Sequence, residues 1–438
     1  MKEGIMLKEK SRSFLSVGID IGADFSFMSI ALPTFETIGR PYKILHSSRC
    51  SVQGAVDRIR KAESECGFTA KVFMESTSIY HCPVYHLMKD AGLEVYVLNP
   101  LITHAARDIN VRSIHNDKLD SQKIALIGLR PNLKTSIIPS DEIAAVKALL
   151  REYHTMKKEC SQYICRLNGQ LRQVFPQYLP IFSKVNGKAS LEILYRYTTP
   201  KTLLATKQDE LINVISTAAG KGRLMAEEKS CRLILAAKEA EEFGHEHDGS
   251  RFLIRHYIEM IRFFDIQTDN LLTRIRQSIK IKPDSPLTRQ VALIQSIPGA
   301  GFLTAVTLIC ELGDIKAFRR PKQLYAYFGL DPRVRQSGHF VGTELKISKR
   351  GSPYARRAIY IIALQSVSLR KNGEPKNPVL REYYMEKCKS KAKMTALGAI
   401  MHKVCNLVFA VLRDEHPFVL MAPEEHRRQH QSKIESAA

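Results

Sequence analysis

One residue pattern fixes what the middle of this chain can become. Val146, Leu150, Tyr153, Lys157, Cys160, Ile164, Leu167, Leu171 and Val174 follow one another at steps of 4, 3, 4, 3, 4, 3, 4 and 3. A heptad pattern held that long specifies one long helix with a single apolar stripe, and water must be kept off that stripe by another helix. Lys157 is its one strongly polar position, and Pro176 and Pro180 end the helix. A second seam, Ile254, Ile258, Ile261, Leu272, Ile275 and Ile279, predicts another long helix over about residues 251–279. The two can pair as an antiparallel coiled coil, or pair between subunits, and a helix packed on a globular core would carry the same stripe. Residues 199–249 between them are polar and helical in tendency.

Ahead of the seam the period shortens to that of strands. Ser16 to Ile21, Phe25 to Ala31, Tyr42 to His46, Lys71 to Met74 and Glu94 to Leu98 are short β-rich runs bounded by Gly, Pro or polar turns. Helical patterns fit Val52 to Cys66, Tyr80 to Ala91 and Lys118 to Leu129. Three strands followed by a β/α alternation predicts a mixed α/β domain whose first two strands pair antiparallel. The expected division is an α/β domain over 1–140, a helical coiled-coil region that supports oligomerisation over 141–288, a mainly α domain over 289–420 and a polar tail over 421–438.

Charge singles out the back of the chain. Lys plus Arg number 66 against 44 Asp plus Glu, a net +22, yet the first 150 residues hold 19 against 16. The excess is densest between Lys316 and Arg357, where eleven basic residues face only Asp331 and Glu344. Of these, Arg319, Arg320, Lys322, Arg333, Arg335, Lys346, Lys349, Arg350, Arg356 and Arg357 are the expected contacts to nucleic-acid phosphate. Just before them, LIQSIPGAGFLTAVTLICELG reads as helix, Pro-Gly-x-Gly turn and helix. That form is helix-hairpin-helix-like, in which glycines let backbone amides approach a phosphate, and a Gly-rich turn between two packed helices fits the same spacing.

Several function classes fall away. The most apolar stretch, Leu397 to Leu412, is interrupted by His402, Lys403 and Asn406 and reads as a core helix rather than a membrane span. The basic start of the chain is followed by an apolar run broken by Asp20 and Asp24, unlike a signal peptide, so a cytoplasmic location is expected. Nine scattered cysteines include no C-x-x-C pair, against structural zinc or a disulfide framework. No H-E-x-x-H spacing and no G-x-x-x-x-G-K-[ST] loop occur, so neither zinc hydrolysis nor ATP is expected.

Four carboxylates suggest chemistry. Asp20 interrupts the apolar strand VGIDIG, where an uncompensated charge is costly. Glu75 ends the apolar strand KVFMES, and Asp117 and Asp120 lie three apart at the start of a predicted helix, hence on one face. Two strand-end acids with such a helical pair are how RNase H-like nucleases assemble a two-Mg²⁺ site, in which paired ions stabilise the attacking and leaving oxygens of a phosphodiester. Singly, each acid could equally form a turn or cap a helix.

These residues resemble a known family, the DEDD transposases of bacterial insertion sequences of the insertion-sequence 110 family. The front of the chain is similar in VGIDIG, MESTSIYH, VLNP and HNDKLDSQKIA, and the back in SIPGAGFLTA, YFGLDPRVRQSG, ISKRGSPYARRAI and LGAIMHKVCNLVFAVL. The resemblance implies a RuvC-like (RNase H-like) N-terminal catalytic domain, a C-terminal transposase domain, and a composite mechanism. In it the acidic tetrad with Mg²⁺ acts together with a serine that attacks DNA and forms a phosphoserine link. By motif that serine is Ser337. Implied partners are DNA, both element ends and target, a structured guide RNA from the element, and further copies of the chain in a dimer or tetramer. Ser78, Asn116 and Ser352 depart from the family's commoner Gly, Thr and Asn.

From the residues alone Ser337 is one of three candidates, because Ser348 and Ser352 share the basic segment; Arg333 and Arg335 just before Ser337 would offset phosphate charge. Without a covalent link, the same acids would make a RuvC-type junction endonuclease. A non-catalytic nucleic-acid-binding protein is disfavoured, since it would not require four carboxylates in this arrangement.

Overall fold

A computed structural model describes residues 14–75, 80–98, 116–131, 133, 139–220, 222–243, 248–332, 336–337, 340–341, 346–421, 424, 425 and 428. The chain divides into two compact units, 1–138 and 139–438.

The first unit is built on a five-stranded sheet in the order β3-β2-β1-β4-β5. Its strands are β1 (Phe14–Ile21), β2 (Phe25–Ala31), β3 (Thr37–Leu45), β4 (Thr69–Glu75) and β5 (Glu94–Leu98). The first three run antiparallel, while β4 and β5 run parallel to β1. This is a mixed sheet, as the sequence pattern predicts. Helices α1 (Arg49–Cys66) and α2 (His81–Asp90) supply apolar side chains to the core that also takes Val17, Ile19, Val72 and Met74. Helix α3 (Asp117–Gly128) packs with Phe73, Leu98, Ile124 and Ile127 in a separate cluster. Because side chains alternate along a strand, Phe73 and Met74 belong to opposite faces, and α3 covers the face that α1 does not.

The third strand starts five residues earlier than the sequence pattern predicts. Gly39 and Pro41 read as a turn, but β3 is an edge strand, where a missing amide costs no ladder bond. The pairing shifts register between Met28 and Ile30 and takes up the irregularity.

In the second unit the heptad seam becomes α4 (Asp141–Val174), capped by Ser140, whose side chain accepts from the Ile143 amide. The second seam becomes α9 (Asp248–Lys280). The two run antiparallel within one chain. Val146 and Leu150 share a core with Ile275 and Ile279, Lys157 pairs with Asp265 at 3.2 Å, and Leu167 and Leu171 share a core with Ile254 and Ile258. The stripe is thus covered by the same chain, and it gives no ground of its own for pairing between subunits.

The described residues among 199–249 also take a definite place. Helices α5 (Lys188–Arg196), α6 (Pro200–Leu204), α7 (Gln208–Ala219) and α8 (Arg223–Phe243) close a core around one end of the α4–α9 pair. The other end enters a core with α10 (Pro286–Gln295), α11 (Phe302–Leu312), α12 (Pro321–Phe328), α13 (Pro353–Ser366) and α15 (Lys393–Arg413), while α14 (Pro378–Ser390) adds Leu380. By length and composition α15 is apolar enough to cross a membrane. It buries Leu397, Ile400, Val404, Val408 and Leu412 in that core, as a core helix does.

Leu167 is fully buried where α4 meets α9. Leu167→Asp is expected to cost several kcal/mol by placing an unpaired carboxylate in a dry seam. Urea unfolding followed by circular dichroism should show a large fall in midpoint; an unchanged midpoint would mean that the seam is not closed in solution.

The Pro-Gly-x-Gly turn between α10 and α11 has a packing role. Gly299 has φ +98°, and a Cβ there would stand 2.7 Å from the Ser366 amide and 2.9 Å from the Ile362 carbonyl. Ser366 Oγ donates to the Pro298 carbonyl at 2.5 Å. The close backbone approach that this glycine permits is therefore to α13, not to a phosphate as the hairpin reading expected.

Candidate active site and nucleic-acid surface

The carboxylates are placed by the contact between β1 and α3. Gly18 faces α3 so closely that a Cβ would lie 2.2 Å from the Ala125 nitrogen and 2.3 Å from the Ser121 carbonyl oxygen. Ser16 Oγ donates to the Ala125 carbonyl at 2.6 Å, and the Ser29 and Ser121 hydroxyls meet at 2.7 Å. Small residues on both partners let the helix lie directly on the sheet. Since Ser121 meets Gly18 while Ala125 reaches Ser16, α3 runs antiparallel to β1 and its first turn lies at the Asp20 end. Asn116 caps that turn, its side chain accepting from the Lys118 amide at 3.1 Å.

Asp20 follows Gly18 by two residues and so faces α3 as well. Ile19 is in register with Met74 on parallel β4, so Glu75 stands at the strand end beside Asp20. Glu75 shares its face with Phe73, which packs under α3. Asp117 and Asp120 occupy the first turn of α3. Asp20 and Glu75 thus stand at one end of the sheet, on the face over which the first turn of α3 carries Asp117 and Asp120. Glu75 is 7% exposed and Asp120 6%, whereas Asp20 is half-buried and Asp117 exposed.

That concentration of negative charge needs cations. Lys123, one turn along α3, supplies one, its ammonium 3.0 Å from Asp120 Oδ1. The sequence reading missed Lys123, although its i, i+3 spacing from Asp120 was the available signal. An all-carboxylate donor set suits hard divalent ions such as Mg²⁺, so the residues fit in kind. Among the described residues, no three His, Cys, Asp or Glu stand close enough together to hold an ion as they are.

Ser337 lies in a short hairpin, β6 (Gln336–Ser337) and β7 (Phe340–Val341), paired with Phe340. Its two rivals are engaged elsewhere. Ser348 is 7% exposed, and its hydroxyl donates to Asp331 Oδ1 at 2.6 Å. Ser352 caps α13 by accepting from the Ala355 amide at 3.2 Å. Asn116 and Ser352, two of the three departures from the family's commoner letters, are thus both helix caps, a role open to several short polar side chains. Ser78 lies outside the described residues, as do Arg333 and Arg335.

Arg319, Arg320, Lys322, Lys346, Lys349, Arg350 and Arg357 are exposed. Arg356 differs, because one terminal nitrogen donates to the carbonyls of Phe328 (3.1 Å) and Gly351 (2.9 Å), tying two loops together. Burial pulls its pKa below the ordinary arginine value.

Comparison with known proteins adds relatives at both ends of the chain. A family model described as Transposase IS116/IS110/IS902 family matches residues 291–385, and the DEDD transposase model of insertion-sequence 110 elements, described as Transposase, matches residues 17–176. The pilin gene-inverting protein of Moraxella bovis is 33% identical over 165 residues, 38% of this chain and 47% of that one. The chain thus spans about half the length of this relative. An uncharacterized 43.6 kDa protein of insertion element IS110 from Streptomyces coelicolor is 23% identical over 74% of this chain and 77% of its own. The transposase for insertion sequence element IS1111A of Coxiella burnetii is 32% identical over 28% of this chain and 33% of its own. Among solved structures, RuvC of T. thermophilus in complex with a Holliday junction substrate matches 26% of this chain and 90% of its own, with 14% identity and a TM-score of 0.20.

Proposed function

Since the chain belongs to the DEDD transposases of the insertion-sequence 110 family, we propose that it is a recombinase that cleaves and rejoins DNA strands to mobilise an insertion sequence. The observation that carries this reading is the gathering of Asp20, Glu75, Asp117 and Asp120 on one face at one end of the sheet. Carboxylates on two adjacent strand ends and on the first turn of the helix above them are the donor type that divalent ions require.

Asp20, Glu75, Asp117 and Asp120 would hold Mg²⁺, which when bound offsets the charge that develops on a phosphodiester undergoing substitution. Lys123 keeps part of the acidic charge compensated when no ion is present. Ser337 is the nucleophile. Its oxygen bonds to phosphorus as the bond from phosphorus to the deoxyribose oxygen breaks, and the serine proton ends, by way of solvent, on that displaced oxygen, which leaves as the hydroxyl of the broken strand. Attack of an incoming strand's hydroxyl on the phosphoserine then restores the phosphodiester and frees the serine, so no ATP is consumed. The involvement of Ser348 and Ser352 in local structure supports the choice of Ser337.

The exposed cations of the basic segment bind the DNA backbone, and a structured RNA from the element directs the choice of sequence. Joining ends from two duplexes needs more than one nucleophile, so assembly into a homo-oligomer is part of the same proposal. The test is a denaturing gel of labelled element-end DNA incubated with protein, guide RNA and Mg²⁺. Rejoined strands together with a protein–DNA adduct are expected. Cleavage to free 5′-phosphate and 3′-hydroxyl ends alone would make the chain a junction endonuclease instead.

Affinity for duplex DNA should fall steeply with salt, at a log–log slope near −0.9 per phosphate neutralised. Replacing exposed Arg319 and Lys322 by Ala should flatten that slope by about two units. An unchanged slope would move the DNA path off this segment.

A further inference from the structure

Beside the α4–α9 pair lies a cavity that the recombinase chemistry does not use. The α4 seam opens between Leu150 and Cys160, where Tyr153 and Lys157 are only half-buried. There α4, α11 and α13 enclose about 460 Å³. A second cavity of about 590 Å³ adjoins it through Leu303, Thr304 and Ile361, which line both.

Three features of these walls point to one class of ligand. Charge is the first: Lys157, Lys158 and Arg357 line the first cavity and Arg276 and Lys376 the second, while no Asp or Glu among the described residues lines either. Two acids lie close by, each already paired: Asp265, 3.2 Å from Lys157, and Glu311, which acts on His154 and is held by Lys147 at 3.4 Å and Arg151 at 3.3 Å. The second is aromatic surface. The ring of His154 stacks on Tyr354 at 5.3 Å and 28°, and Tyr153 meets His154 edge-on at 5.4 Å. Third, His154 Nε2 is buried with no hydrogen-bond partner. Burial first, then the nearby charge of Arg357, hold this imidazole below its usual pKa against the opposing pull of Glu311, so at neutral pH it presents an uncharged ring to the wall.

We propose that this pair of cavities receives an unpaired nucleotide of a nucleic-acid strand. The base lies against the Tyr153–His154–Tyr354 wall, and the flanking phosphates run along Lys158 and Arg357 toward Arg276 and Lys376. Both volumes fall in the range of small-ligand sites, ~300–1,000 Å³, and a duplex keeps its bases stacked out of such a space. Aromatic stacking combined with a cationic track is how single strands are held irrespective of sequence. The inference deepens the recombinase reading, since strand exchange must expose unpaired nucleotides, and it rests on that reading for the nature of the polymer.

The experiment uses the full chain, EDTA in place of metal, and short single-stranded DNA and RNA oligonucleotides carrying 2-aminopurine. Binding is followed by anisotropy and base stacking by fluorescence quenching. Wild type should bind and quench one or both strands, and the tighter of the two identifies the source of the nucleotide. Tyr354→Leu and His154→Leu should lose the quenching and weaken binding at least about fivefold. Because those variants can disturb packing, Lys158→Glu, at an exposed position, should also weaken binding severalfold with melting unchanged. The proposal is overturned if Lys158→Glu and well-folded wall variants bind and quench as wild type does, or if duplex DNA of equal length quenches equally. Binding and quenching by a protein that never cuts DNA would sink the recombinase reading and leave the cavity assignment standing. Normal cutting and rejoining with unaltered strand binding by the cavity variants would do the reverse.

Discussion

Asp20→Ala is expected to lower strand cleavage by three orders of magnitude or more while leaving the fold intact. A loss of that size corresponds to about 4 kcal/mol of transition-state stabilisation, within what a bound divalent ion provides at a phosphoryl centre. Asp20 is half-buried at the end of β1, with Glu75 beside it and the first turn of α3 over the same face. Asp20 is only half-buried and sits at a strand end, so the fold should survive its truncation and the melting temperature should change little. Glu75→Ala should also abolish cleavage, but with some loss of stability, because its side chain is buried and its removal leaves space in the layer below α3. Calorimetric titration with Mg²⁺ should show weakened binding in both variants. An Asp20→Ala protein that binds Mg²⁺ and cuts DNA as wild type does would end the metal-site reading.

Ser337→Ala is expected to remove the covalent adduct and strand exchange together, to below detection, with Mg²⁺ binding unchanged. The two readouts separate the roles, since the acids would hold the metal and only the serine would carry the strand. Ser337 lies in a two-stranded hairpin, and Ala is compatible with its extended backbone, so the melting temperature should change little. Peptide mapping of the shifted band from wild type assigns the linked residue. An adduct mapped to Ser348 would contradict the geometry, because that hydroxyl is buried and bonded to Asp331. A Ser337→Ala protein that cuts normally and forms no adduct would make the chain a junction endonuclease. Ser337→Cys should retain a trace of activity, since a thiolate can still attack phosphorus.

Local pattern made several parts of this molecule legible before any coordinates. The heptad steps from Val146 to Val174 specify α4, because a 3.5-residue period is a property of one helix and needs no partner to be read. Short β-rich runs bounded by turn residues specify β1, β2, β4 and β5 to within a few residues, and the i, i+3 spacing of Asp117 and Asp120 specifies their common face. The capping roles of Asn116 and Ser352 are also local, resting on bonds to amides two or three residues away.

Partner choice was not legible, since it depends on surfaces distant in sequence. An apolar stripe shows that α4 must be covered, but not that α9 of the same chain covers it. A Gly in SIPGAG shows that backbone approaches closely, but only the fold shows that the approach is to Ser366 rather than to a phosphate. The antiparallel seating of α3 on β1 arises from Ser16, Gly18, Ser121 and Ala125, small residues about a hundred positions apart that carry no periodic signal. That seating brings the first turn of α3, with Asp117 and Asp120, to the end of the sheet where Asp20 and Glu75 stand. The sequence by itself determined which residues carry charge and which face of each element they occupy, because a side chain's direction follows from its own backbone; which faces meet was decided by the tertiary structure, because packing depends on complementary shape between segments the sequence keeps apart.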